Sequence, residues 1–261
     1  MVCSLTTASR IHRSRLTSVY HQWFTMSMMN TSSLSSEVKL DKYDQSQIDL
    51  LNEKCILVDE NDQVIGSESK KACHLMTNID NGLLHRAFSV LIFDSNRRFL
   101  LTQRSDKKIT FPGYYTNTCC SHPLYTPLEM ESDDAIGVKR AAQRRLQLEL
   151  GINPLEIPLS EMKFMTRFLY KAPSNDIWGE HEVDYALIVH RDVNVNPDPD
   201  EVKSYRFVGR DELLPFLDAE NERGSPTTPW FRIMLDKFFF KWWDNLDNLD
   251  QFVEPDKVYK L

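Results

Sequence analysis

Arg144-Arg145-Leu146-Gln147-Leu148-Glu149-Leu150-Gly151-Ile152 closes the one long helix that the residue pattern predicts between two groups of strands. Upstream of it Ile136, Arg140/Ala141, Leu146 and Leu150 recur near helical spacing from about residue 133 onward. Ser132 is an N-cap candidate and Gly151 supplies the C-terminal stop. Outward from this helix, short apolar runs read as strands at 55–58, 64 onward, 87–93 and 98–103 on one side. On the other side they read at 163–170, 183–189 and 205–208. Polar turns fall at 59–63 and 94–97, and 111–122 reads as irregular or as a short strand. A short amphipathic helix over 44–54, a helix from about Asp211 and an aromatic-rich helix over 230–246 complete the pattern. Strands, one central helix, more strands, then helices predict an α/β sandwich with mixed sheets flanked by helices, not a doubly wound parallel sheet.

The 261 residues suit one domain over 41–261 with a distinct segment at 1–40. Apolar residues at 41% and charged residues at 26% are ordinary for a soluble protein with a sizeable core. The net charge of -7 argues against a general nucleic-acid groove, so an anionic ligand would need a local cluster of Lys, Arg or metal. Five Cys with no C-x-x-C pair point to free thiols rather than a disulfide framework. No apolar run reaches spanning length, since Lys241 interrupts the aromatics that follow Phe238. The expected partner is a small molecule, and the expected state a monomer. Arg10, Arg13 and Arg15, many Ser and Thr, and no acid before Glu37 read as an organellar transit peptide or as a plain disordered tail. Tyr259-Lys260-Leu261 faintly echoes a peroxisomal address. Cytoplasm, peroxisome and mitochondrion all stay open.

Gly179-Glu180-His181-Glu182-Val183-Asp184-Tyr185 opens an apolar strand. Alternation puts Glu180 and Glu182 on one face, about 7 Å apart, and His181 on the other. Such a pair either shares a cation or ends a strand in solvent. His181-Glu182 begins an H-E-x-x-H pattern, but Tyr185 takes the second His position, which removes a zinc-protease reading. His74 and His85, read as lying in a polar loop, and His122 are each unremarkable alone. With the acidic pair they offer a mixed nitrogen and oxygen donor set suited to Zn, Mn or Mg.

Adjacent Cys119 and Cys120 have the wrong geometry to bridge. One reads as a buried small residue, the other as incidental or as a cleft thiol that moves protons. Arg104, Lys107 and Lys108, with Lys70 and Lys71 upstream, read as a diphosphate clamp or as a solvated charged turn. Glu149 lies near a helix C-terminus, where the dipole disfavours an anion. It either binds a cation or is an exposed helix former. Most of the Trp residues are core candidates, and one facing a site could stabilise a carbocation.

Taken together these segments resemble the type I isopentenyl-diphosphate isomerases, closest to animal-type members. Gly113-Tyr114-Tyr115-Thr116-Asn117-Thr118-Cys119-Cys120-Ser121-His122-Pro123 is similar to their cysteine motif. Trp178-Gly179-Glu180-His181-Glu182-Val183-Asp184-Tyr185 is similar to their glutamate motif. The resemblance continues through Gly82-Leu83-Leu84-His85-Arg86-Ala87-Phe88, Gln103-Arg104-Ser105-Asp106-Lys107-Lys108 and Phe240-Lys241-Trp242-Trp243-Asp244-Asn245-Leu246, and spans roughly 45–261. It implies a Nudix-like α/β sandwich that interconverts isopentenyl and dimethylallyl diphosphate by protonation and deprotonation, in isoprenoid, including sterol, precursor synthesis.

The resemblance further implies that His74, His85, His122, Glu180 and Glu182 bind one divalent metal, Zn2+, Mn2+ or Mg2+. Cys120 and Glu182 would be the acid/base pair, with Tyr170 assisting near the thiol. Glu149 would hold a Mg2+ that bridges to the diphosphate, which Lys70, Arg104, Lys108 and Ser121 would contact. Trp230 would face the allylic skeleton. The ordinary Nudix box, G-x5-E-x7-R-E-U-x-E-E-x-G-U with U a bulky aliphatic, is met by Arg144, Leu146, Glu149, Gly151 and Ile152. Arg145 and Leu148 replace two of its acids, and Ile136 replaces the upstream Glu. A diphosphate hydrolase needs those acids to collect the metals that activate water, so their loss argues against hydrolysis. A non-catalytic binding module and a thiol redox protein are the other rivals. The second fails for want of a resolving Cys in reach.

Overall fold

Apolar alternation builds a mixed sheet with flanking helices in the computed structural model, which describes residues 38–261. Helix α1 (Gln45–Leu50) leads into the antiparallel pair β1 (Lys54–Val58) and β2 (Val64–Ser69), and then into α2 (Lys70–His74) and α3 (Met76–Asp80). β3 (His85–Phe93), β4 (Phe99–Arg104), β5 (Tyr115–Thr116) and β6 (Cys119–Ser121) precede the long helix α4 (Ile136–Leu150). β7 (Lys163–Pro173), β8 (Gly179–His190) and β9 (Val202–Val208) follow, then α5 (Leu213–Glu222), α6 (Pro229–Met234) and, after a π-helical turn, α7 (Phe240–Asp244), with β10 (Val258–Lys260) last. The strand order is β10-β7-β8-β3-β1-β2. β6 pairs with the middle of β3, while β4, β5 and β9 form an antiparallel patch joined to β3 at Phe93–Phe99.

β3 and β8 run parallel, with His85 opposite Glu182 and Phe93 opposite His190. Alternation then lays out one face completely: His85, Ala87, Ser89, Leu91 and Phe93 beside Glu180, Glu182, Asp184, Ala186 and Ile188. The second halves of both strands are apolar there and pack with Trp230, Phe231, Phe239 and Trp243. Burying each of those side chains contributes roughly 1.5–3 kcal/mol. The first halves are polar, so the core stops and a polar site begins on the same face. The opposite face carries Phe88, Val90, Ile92, Val183, Leu187 and Val189 against Val138, Ala141 and Leu146 of α4.

Several boundaries differ from the sequence-based expectation. The first helix is six residues long and ends at Leu50, because Leu51–Glu53 turn the chain into β1. His74 ends a helix and His85 starts a strand, so neither lies in a loop. Ser132 makes no capping bond, since Asp134 (φ 45) and Ala135 (φ 54) take left-handed conformations and the α-helix begins only at Ile136. The aromatic helix is broken by π-helical Leu235–Phe239. The stop at Gly151 holds for a double reason. Its φ is 63, and a Cβ there would lie 2.4 Å from the Asn196 carbonyl oxygen. The N-terminal segment read as a transit peptide or tail lies outside the described residues.

Candidate active site

The polar halves of β3 and β8 gather the His and Glu candidates into one cluster. The potential ligand atoms of His74, His85, His122, Glu180 and Glu182 all lie within 4.8 Å of one another, and all five residues are buried. His74 Nε2 is 2.9 Å from Glu180 Oε2. Glu182 Oε1 is 2.8 Å from His122 Nε2 and 3.3 Å from His85 Nε2. Helix α2 delivers His74, and its Nδ1 is 2.6 Å from the Lys70 carbonyl, which fixes Nδ1 as donor and turns Nε2 toward the carboxylates. His181 faces the other way and bonds the Leu83 carbonyl, as the alternation of β8 requires.

The donor atoms converge without satisfying one another. Both ring nitrogens of His85, His122 Nδ1 and Glu180 Oε2 are buried with no hydrogen bond of proper geometry. Orphaned buried polar atoms are expensive, and four of the eight among the described residues belong to this cluster. Three imidazoles and two carboxylates with lone pairs aimed inward fit a divalent cation. Burial and the neighbouring rings of His74 and His85 push the His122 pKa well below its ordinary value, which favours the neutral ring.

Glu182 also accepts a 2.5 Å hydrogen bond from Tyr170 Oη. Burial disfavours its charge, but the His85 contact and the Tyr170 bond outweigh burial and hold its pKa below the usual carboxylate range. Burial and the two glutamates push the Tyr170 phenol well up, so it stays a donor. Two residues along, Asp184 is buried and bonded by Ser89 Oγ at 2.8 Å. Burial and the Glu182 charge raise its pKa well above the ordinary value.

A partly open cavity adjoins this cluster. Cys120, Ser121, Tyr170, Trp230, Glu180 and Glu182 all line it. Strand alternation separates the two thiols. Cys119 faces the α4 core, while Cys120 packs on the Trp230 side. Burial pushes the Cys120 pKa up to about 12, with Arg104 opposing, so the sulfur holds its proton.

Four cations line the same cavity: Lys70, Arg104, Lys108 and Arg145. The Arg104 guanidinium bonds the Thr110 and Phe111 carbonyls and lies 5.6 Å from the Trp230 ring. Lys108 pairs with Glu201 at 2.7 Å. The charged turn therefore divides. Arg104 and Lys108 face the cavity, whereas Lys107 bonds Asp44 and Asp200 near the surface. Glu149 is buried, not exposed, and is not a cavity-lining residue. Its Oε1 accepts both Arg145 Nε (2.9 Å) and Nη2 (2.7 Å).

Arg145 and Glu201 are the residues that sequence reasoning missed. Arg145 Nη2 reaches Glu201 Oε2 at 3.1 Å, and Gln47 of α1 donates to Glu201 Oε1 at 2.7 Å. The one available signal was Arg145 four residues before Glu149, a spacing at which helical side chains meet. Nothing local could have announced Glu201.

Residues 83–231 match the family model of the NUDIX domain. The chain is 55% identical to bovine (Bos taurus) isopentenyl-diphosphate Delta-isomerase 1 over 225 residues, which cover 86% of this chain and 99% of the bovine protein. It is 50% identical to human (Homo sapiens) isopentenyl-diphosphate delta-isomerase 2, covering 87% of this chain and all of the human protein. It is also 50% identical to a fungal isopentenyl-diphosphate delta-isomerase from Aspergillus fumigatus, covering 86% and 83%.

Proposed function

The chain belongs to the isopentenyl-diphosphate Delta-isomerases of the NUDIX family and interconverts isopentenyl and dimethylallyl diphosphate in isoprenoid precursor synthesis; from that premise we propose that Cys120 and Glu182 carry its two proton transfers. The reaction shifts a double bond by one carbon. One proton is added to the terminal alkene carbon and another leaves C2. An unactivated alkene is a very weak base, so the transition state carries tertiary carbocation character. The site needs one group that holds a proton, one that lacks it, and a dry wall that tolerates positive charge.

The observation that supports this reading is that Cys120 and Glu182 line one cavity, where burial favours the protonated thiol and the His85 and Tyr170 contacts favour the charged carboxylate. Tyr170, bonded to Glu182, fixes the carboxylate and contributes to its ionisation. Trp230 presents a π-face for the cationic carbons. Lys70, Arg104, Lys108 and Ser121 bind the diphosphate, and that binding energy positions the reacting carbons. A divalent cation held by His74, His85, His122, Glu180 and Glu182 would fix Glu182 and weight its protonation state, and the donor set suits Zn2+, Mn2+ or Mg2+. Glu149, behind the cavity-lining Arg145, would hold a Mg2+ that supplies charge neutralisation for the diphosphate.

The test is proton NMR of isopentenyl diphosphate with the purified protein and Mg2+ in D2O. Deuterated dimethylallyl diphosphate is the expected product. Cys120→Ser and Glu182→Gln should each lower turnover at least ~10²-fold. Near-normal turnover by either variant removes its assigned role, and net release of phosphate removes the isomerase reading.

A further inference from the structure

The Cys120 sulfur lies 3.7 Å from Thr116 Oγ1, at the end of a buried polar chain. Thr116 Oγ1 is also 3.1 Å from Asn117 Oδ1 and 2.9 Å from Thr228 Oγ1. Asn117 Nδ2 donates to the carbonyls of Val90 at 3.2 Å and Cys119 at 2.9 Å, and its Oδ1 accepts from the Trp230 indole Nε1 at 3.0 Å. Thr116, Asn117, Thr228 and Trp230 are each at most 3% exposed. Neither Thr116 nor Asn117 lines the cavity, so both act through the residues they touch.

The direction of every proton in this chain follows from donor and acceptor counting. Carbonyl oxygens only accept, so the Asn117 amide nitrogen must face Val90 and Cys119. A flipped amide would forfeit both bonds and set its nitrogen against the indole N–H. Asn117 Oδ1 therefore faces Trp230 and Thr116, and the Thr116 hydroxyl gives its single proton to that oxygen. Toward Thr228 and Cys120 it has only lone pairs left. Thr228 is the N-cap of α6, a position where a threonine oxygen normally accepts from the first helical turn. Its side chain makes no such bond, which frees the hydroxyl to donate to Thr116. The second lone pair of Thr116 is left for the Cys120 S–H.

We infer that Thr116, oriented by Asn117, is a positioning residue for the Cys120 thiol, and that the same Asn117 oxygen holds the Trp230 ring in register with that thiol. This rests on the proposed role of Cys120 as a proton carrier. The thiol and the aromatic wall are thereby referenced to one amide oxygen. A thiol without an acceptor spreads over its staggered rotamers, and misplacement near 1 Å at a reacting group is enough to lower a rate by orders of magnitude.

Full-length Thr116→Val, Thr116→Ser and Cys120→Ala are compared by steady-state conversion of isopentenyl diphosphate, with melting temperatures measured alongside. Thr116→Val should lower kcat about tenfold, some 1.4 kcal/mol in the barrier, while KM stays within twofold because the diphosphate contacts are untouched. Thr116→Ser, which keeps the hydroxyl, should recover kcat to within threefold. Thr116→Ala, which cannot clash, takes the place of the valine variant if that one does not fold. An inactive Cys120→Ala with Thr116→Val at the parent rate overturns this inference alone. An active Cys120→Ala overturns the proton-carrier reading, and this inference falls with it. Equal losses for the serine and valine variants, or a loss that falls on KM, mark a packing role and also overturn it.

Discussion

Replacing Arg145 by Met keeps most of its length and deletes the charge, which isolates what that guanidinium does. Arg145 is 2% exposed, and the two carboxylates it binds, Glu149 and Glu201, are each 8% exposed. Removing one partner of a buried ion pair typically costs about 3–5 kcal/mol, because the other charge is left uncompensated. Here Lys108 stays on Glu201 at 2.7 Å, so that carboxylate is left partly compensated, and the low end, about 3 kcal/mol, is expected. For a domain of this size that lowers Tm by roughly 6–12 °C.

Urea titration followed by fluorescence measures the loss, and repeating it at falling pH tests its cause. In the parent, burial opposes ionisation of Glu201, but Lys108 and Arg145 outweigh it and depress the pKa. A depressed carboxylate contributes stability that is complete above the unfolded value near ~4.3 and is lost as pH falls through the folded value. The variant has less of that stability to lose, so the two curves should converge on acidification. A loss below about 1 kcal/mol at neutral pH, or a gap that widens in acid, would refute the reasoning.

Two other outcomes are expected. Protein stripped by a chelator should be stabilised on adding a divalent metal, by about 2.7 kcal/mol at a concentration 100 times Kd. The double substitution His85→Ala/Glu180→Gln should abolish that shift in Tm, and a parent protein indifferent to metal would dismiss the cluster as a binding site. Arg104→Ala should raise KM about 10- to 100-fold with kcat changed only a few-fold, the scale of one charge-assisted hydrogen bond. An unchanged KM would show that the guanidinium serves only the Thr110 and Phe111 carbonyls.

What is legible in the sequence follows from the range of each physical signal. Period-two alternation is local, so the residue pattern alone separates Glu180 and Glu182 from His181. Gly151 announces the end of α4 because only a left-handed residue closes it there. His74 is misread as a loop residue because a five-residue helix is too short to display a period. The start of α4 is misplaced because Asp134 and Ala135 adopt positive φ, which is uncommon outside glycine. The Arg145–Glu201 contact joins a helix to a loop far along the chain, and no spacing rule covers such a pair. The acid missing from the Nudix box at position 145 is visible; that its replacement pairs with Glu149 of the box and with Glu201 outside it is not.

The parallel pairing of β3 with β8 makes the metal cluster a gauge of registry. A slip of one residue would turn both glutamates to the α4 side, and a slip of two would carry Glu182 past His85. Only the native alignment brings five donors to a point, so any cation they hold rewards that alignment and no other. Parallel strands contributed from distant parts of a chain pair late, after the intervening helix and hairpins have had time to form. A bound cation would therefore stabilise the native pairing of β3 with β8 over its slipped alternatives.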